Sequence, residues 1–175
     1  YYGLPLERGI SRDSTTYRYD WLQNLGLEDP ATVDELVTML KRFTTDDPDG
    51  NGVNDTYGTV TDPTSRIAVM LGAPNNWRYE DGKMIKAELT DEYMQALDIS
   101  RELYAVGAIH PEFSIRQRAD YEGDFIQGKA GVYFNTSTDI TAFQSQMVQP
   151  EAVLHSKNVF QNADGNTYTA AGRGN

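Results

Sequence analysis

"TTYRYDWLQNLGLEDPATVDELVTMLKRFTTDDPDGNGVNDTYG", residues 15–58, decides how the 175-residue chain is read. Its middle is an amphipathic helix with a legible start. Thr32 followed by Glu35 is a capping box, in which each side chain satisfies a backbone N–H of the first turn. Val33, Leu36, Val37, Leu40 and Phe43 then recur at helical spacing and make one apolar stripe. Upstream, Tyr17, Trp21, Leu22 and Leu25 show the same spacing, and Gly26 offers a left-handed stop. That spacing predicts a first helix folded against the second as a hairpin, with Trp21 in the core.

The stretch ends in an acidic loop. Residues 46–58 hold four aspartates, two asparagines and three glycines. Counted from Asp47, oxygen-bearing side chains fall at positions 1 (Asp47), 3 (Asp49), 5 (Asn51) and 9 (Asp55), with Gly52 at the sharp turn and the Val53 carbonyl at 7. This is the donor set of a hard cation, and Ca²⁺ suits it better than Mg²⁺, which tolerates little geometric slack. Without a cation, clustered carboxylates repel one another. Position 12 is Gly58 rather than a bidentate Glu, and "TYGTV" reads as a strand, so this is no helix–loop–helix sensor. Two readings stand: a structural Ca²⁺ loop, or a polar turn closed by its own side-chain hydrogen bonds.

Beyond the loop, "SRIAVMLGAPNNWRYEDGKM" (65–84) reads as a short helix, a loop and a hairpin turning at Asp81 and Gly82. Thr90 caps the strongest helix, with Asp91 and Glu92 in its positive first turn and Gly107 at its end. Another helix stops at Gly128 and leads into a buried strand over 130–134. A short helix over 138–147 and a hairpin turning at Asp164 and Gly165 complete the series. Helices around a few strands argue a mixed α/β or α+β domain.

Composition narrows the function. A net charge of −11 repels phosphate backbones, so nucleic acid is not a partner. No apolar run approaches the ~18 residues of a membrane span. The absence of cysteine removes thiolate catalysis, disulfides and thiolate metal sites. His110 and His155 lie in no metal spacing, and no nucleophile-elbow, zincin or phosphate-loop motif is present. Eleven tyrosines suit a surface that stacks on polar, partly apolar ligands such as sugars. The chain opens on the strand-like "YYGLPLERGI" and stops at "YTAAGRGN", which leads us to expect a piece of something larger.

Taken in order, these features resemble the extracellular solute-binding proteins of bacterial ABC importers. The resemblance rests on "YGLPLERG" (2–9), the D-W-L-x-x-L-G-L run from Asp20, the P-x-T-x-D-E-L start at Pro30 and the D-x-D-G-N-G-x-x-D loop at Asp47. "DFIQGKAGVYFNTSTD" (124–139) resembles the family's F-x-x-G-K-A-G strand leading into the binding cleft. It looks most like the family 1 carbohydrate branch, which includes alginate-oligosaccharide and lipoprotein-anchored sugar binders. The resemblance implies an α/β fold: one lobe of a two-lobe periplasmic-binding-protein-like architecture, helix-rich around a small mixed sheet. Residues 1–175 would then be a single lobe excised at the hinge strands.

It further implies capture of an extracellular oligosaccharide without catalysis, delivery to a membrane permease, and an extracellular or periplasmic parent anchored as a lipoprotein. A structural Ca²⁺ would be held by Asp47, Asp49, Asn51, the Val53 carbonyl and Asp55. Relatives commonly carry a Glu where Thr56 stands here. For the ligand, position and chemistry single out Arg12, Tyr17, Trp77, Asn135 and Asp139: aromatic faces for sugar C–H surfaces, planar polar groups for paired hydroxyls. Trp77 could equally plug the core edge, Arg12 pair with Asp13, and Asn135 serve a turn. Competing functions are a calcium-dependent adhesion or assembly module and a glycoside hydrolase fragment using paired carboxylates.

Overall fold

The computed structural model describes residues 13–136 and 140–169. Its centre is a strand, β1 (Asp13–Arg18), where helical spacing had placed Tyr17 on a helix. Only Tyr19–Asn24 is helical (α1). The strand is buried on both faces, so it shows none of the alternation that betrays a strand in sequence. Ser14, Thr15 and Thr16 are almost wholly buried, and Thr16 Oγ1 donates to Asn135 Oδ1 at 2.9 Å. Trp21 lies in the core as expected, in a T-shaped contact with Phe43 whose ring centroids are 5.4 Å apart.

Helix α2 (Val33–Thr45) starts as its capping box requires. Glu35 N donates to Thr32 Oγ1 at 3.2 Å, and the Glu35 carboxylate accepts from Thr32 N at 3.0 Å and Ala31 N at 2.7 Å. Its apolar face carries Val33, Leu36, Met39, Leu40 and Phe43. Strand β2 (Tyr57–Thr59) follows the acidic loop, and α3 (Thr64–Leu71) ends on left-handed Gly72. Asp62 Oδ1 accepts from Thr64 N at 2.9 Å and so stands in for a missing cap. Strands β3 (Trp77–Glu80) and β4 (Lys83–Lys86) form a separate hairpin turning at Asp81 and Gly82, both at positive φ. After a 3-10 turn at Ala87–Leu89 comes α4 (Asp91–Ala105), capped by Thr90.

Helix α5 (Arg118–Ile126) and strand β5 (Ala130–Thr136) follow, then α6 (Ile140–Gln146) and β6 (Leu154–Lys157). Strand β6 has no counterpart in the sequence reading, because "LHSK" alternates too briefly to signal. The hairpin anticipated near the C-terminal end is reduced to one bridge, Gln161 with Thr167, around the turn at Gly165.

The main sheet runs β2-β5-β1-β6, with β2 parallel to β5 and β1 antiparallel to both its neighbours. Alternation along β5 assigns the two cores to opposite faces. Val132 and Phe134 join Tyr17, Trp21, the apolar stripe of α2, and Ile67, Ala96 and Leu103 from α3 and α4. Tyr133 faces the other way, into Phe125, Phe143 and Leu154. The fold is thus a small mixed sheet with helices on both sides, as the sequence implied.

Candidate functional site

Parallel β2 and β5 end at one edge of the sheet, at Thr59 and Thr136, and antiparallel β1 brings Asp13 opposite Thr136. In open α/β sheets the crevice beyond the carboxyl ends of parallel strands is where ligands sit. Arg66 of α3 reaches this edge and pairs with Asp13. Neither that pair nor its position was anticipated, since nothing local links residue 13 to residue 66.

Asn135 stands at the same edge, paired in register with Ser14 and 6 % exposed. Thr16 fixes the orientation of its amide by donating to Oδ1, and Nδ2 is buried with no partner among the described residues. A buried donor without an acceptor is costly, so its persistence calls for an explanation. Trp77 lies on the other sheet, on β3, half exposed. Period-two alternation and its register with Lys86 place exposed Tyr79 and Met84 on its face of the hairpin. Tyr17 is 1 % exposed, and its hydroxyl donates to Asp29. Burial and that carboxylate push its pKa up, and its ring offers no face to a ligand within this chain. Arg12 and Asp139 lie outside the described residues.

The sequence reading also missed Arg18, whose side chain is 2 % exposed. Its guanidinium donates from Nε (2.9 Å) and Nη2 (2.6 Å) to Asp20, reaches Gln149 at 3.2 Å and lies 4.7 Å over the Trp21 ring. Arg–carboxylate forks of this kind are strong and directional. The available signal was a lone cation inside the aromatic run "YRYDW".

In the acidic loop, Asp47 takes a left-handed φ of 48°, and Gly50 and Gly52 take 69° and 85°. Asp47 accepts from Asn51 N (3.1 Å) and Gly52 N (2.8 Å), and Asn51 Oδ1 accepts from Val53 N (2.7 Å). Asn51 Nδ2 donates to Asp49 at 3.0 Å and to Asp55 at 3.2 Å. Burial, then the neighbouring Asp47 and Asp55, push the Asp49 carboxyl above the ordinary carboxylate range. Among the described residues no three His, Cys, Asp or Glu side chains converge closely enough to hold a metal ion. The donor set nevertheless has the chemistry of a hard-cation site: three carboxylates, one amide oxygen and the Val53 carbonyl on one short loop. The hydrogen bonds close the loop as a turn; the repulsion at Asp49 is what a cation would relieve.

No family model matches the chain. It is 36 % identical over 159 residues to lipoprotein LipO of Bacillus subtilis, covering 86 % of this chain and 32 % of the relative. Over 170 residues it is 31 % identical to the polygalacturonan/rhamnogalacturonan-binding protein YtcQ of the same organism, covering 94 % and 34 %. Among solved structures it superposes with TM-score 0.72 and 23 % identity on an EF-hand mutant of the ABC-transporter substrate-binding protein FusA of Streptococcus pneumoniae, in complex with fructo-nystose. That match covers 94 % of this chain and 34 % of FusA. The chain therefore belongs, over the residues it spans, to the extracellular solute-binding proteins of ABC importers. It spans about a third of the length of LipO and YtcQ. Among the described residues no helix is long and apolar enough to cross a membrane.

Proposed function

We propose that this chain is one lobe of a solute-binding protein and forms one wall of a cleft that captures an extracellular oligosaccharide for an ABC importer. The observation that carries the reading is the sheet edge, where Asn135 holds a fixed donor with no partner among the described residues, and where Asp13, one register position further along and on the opposite face, pairs with Arg66. A sugar hydroxyl has the acceptor that donor lacks, and exposed Trp77 has the aromatic face that sugar C–H surfaces prefer. The names of YtcQ, a polygalacturonan/rhamnogalacturonan-binding protein, and of FusA, a fructooligosaccharide substrate-binding protein, support an oligosaccharide as this chain's solute. The parent would hand its solute to a membrane permease, perform no chemistry on it, and be held at the cell surface by a lipid anchor.

The test is calorimetric titration of the full-length parent with pectin- and fructan-derived oligosaccharides, with product analysis of the mixture. The reading requires saturable binding, unchanged sugar, and affinity lowered by Asn135→Ala and Trp77→Ala. Cleavage of the sugar, or affinity indifferent to both variants, overturns it.

The acidic loop is in this reading a structural Ca²⁺ site, held by Asp47, Asp49, Asn51, the Val53 carbonyl and Asp55. It joins α2 to β2 on the approach to the sheet, with Thr56 Oγ1 anchored on the Phe43 carbonyl at 2.6 Å. Thermal unfolding in EDTA, then with Ca²⁺ or Mg²⁺, is decisive. A rise in Tm specific to Ca²⁺, lost in Asp49→Ala, is expected; a midpoint unmoved by either cation leaves only the turn.

A further inference from the structure

We infer that the Asn51–Gly52 peptide is a covalent modification site, at which the folded protein loses the Asn51 amide as ammonia and passes through a succinimide to aspartate or isoaspartate. This is the one Asn-Gly dipeptide in the chain. Both residues are exposed, and a Cβ added at Gly52 would meet nothing within 4 Å. The nitrogen that must attack is therefore unshielded by any side chain of its own residue.

The surrounding groups match the needs of the reaction. The Gly52 N–H points at Asp47 Oδ2, 2.8 Å away, so a carboxylate already accepts the hydrogen bond of the attacking nitrogen. The Val53 N–H lies 2.7 Å from Asn51 Oδ1, the oxygen on which negative charge develops as the tetrahedral centre forms. The departing Nδ2 is held at 3.0 Å from Asp49 and 3.2 Å from Asp55. In the step, Gly52 N bonds to Asn51 Cγ, the Cγ–Nδ2 bond breaks, and ammonia leaves with the proton given up by Gly52 N. Water then opens the imide at either carbonyl. No electrons are exchanged, and water is the sole co-reactant.

Asn54 and Asn76 are the internal controls, because Asp55 and Trp77 follow them and crowd the attacking nitrogen. Either product adds a further carboxylate among Asp47, Asp49 and Asp55, and isoaspartate also lengthens the loop backbone by one carbon. The reaction needs no cation, and its test excludes one. The folded chain is aged in mildly alkaline buffer with EDTA, and conversion at each asparagine is followed by fragmentation mass spectrometry, with Asn51→Asp as the standard for one product. Conversion at Asn51 several-fold faster than at Asn54 and Asn76, and slowed several-fold by Gly52→Ala in both folded and urea-unfolded chain, is the result expected. Asn51 surviving as long as those controls, or converting only in urea, overturns the proposal.

Discussion

Gly131 has no room for a side chain. A Cβ there would lie 2.1 Å from the Phe43 ring, which packs α2 directly onto the backbone of β5. We expect Gly131→Ala to destabilise the fold by about 1–3 kcal/mol, the usual penalty for overpacking a core, as read by urea unfolding. Phe43→Leu in the same background should recover part of the loss, because the three atoms nearest the added Cβ all belong to that ring. At Asp49 the outcome depends on what fills the loop. In EDTA, Asp49→Asn relieves the repulsion from Asp47 and Asp55, so its Tm should equal or exceed that of the parent sequence. With Ca²⁺ the order should reverse, since the substitution removes one carboxylate from the donor set. A variant less stable than the parent in both conditions would mean that the Asp49 hydrogen bonds outweigh the repulsion.

Among the elements, α5 and β5 are joined by a partly buried ion cluster. Asp124 is 8 % exposed at its side chain, pairs with Arg116 and accepts from Lys129 Nζ at 3.2 Å. Burial pushes the Asp124 carboxyl up, but the hydrogen bonds from the two cations outweigh it and hold the group below the ordinary carboxylate value. A depressed folded pKa stabilises above the unfolded value of 3.8, and the contribution is lost as pH falls through the folded value. Asp124→Asn should therefore cost about 1–3 kcal/mol near neutral pH, leaving Arg116 without its counter-charge. Its gap from the parent sequence should shrink as unfolding is measured at successively lower pH; a gap independent of pH would show that packing, not charge, holds the pair.

The elements that announced themselves in sequence share a cause. Thr32 with Glu35, Thr90, Gly107, and the Asp-Gly turn at Asp81 act through neighbours in the chain, and each stands where its local chemistry put it. Tyr17 and β6 were misread or missed because their environment comes from across the sheet. Tyr17 is a strand residue through its register with Val132 and His155, neither of which is near it in sequence. The site divides in the same way. The sequence reading singled out Asn135 from the motif that precedes it, whereas the Asp13–Arg66 pair and the Arg18 fork required the folded chain.

At the scale of the whole molecule, the proposed function makes this chain half of a cleft. Half a cleft would leave most of a sugar's surface in water, so on that proposal the isolated chain should bind any oligosaccharide far more weakly than the full-length parent. Equal affinities in a side-by-side titration would place the complete site within these residues.

The strand order carries one more consequence. Strand β1, the earliest of the sheet in sequence, is clasped between β5 and β6, and its bonds span 119 residues from Thr16 to Asn135 and 142 from Ser14 to Ser156. Contacts so distant along the chain make folding slow, because the intervening loop must close before they form. As the polypeptide emerges from the ribosome, β1 waits for its partners through nearly the whole synthesis of these residues. A chain ending at residue 150 lacks β6 and should show no cooperative unfolding transition by circular dichroism; a sharp transition would mean that β5 alone completes the nucleus. The same delay leaves the nascent polypeptide open and threadable until its last strand appears.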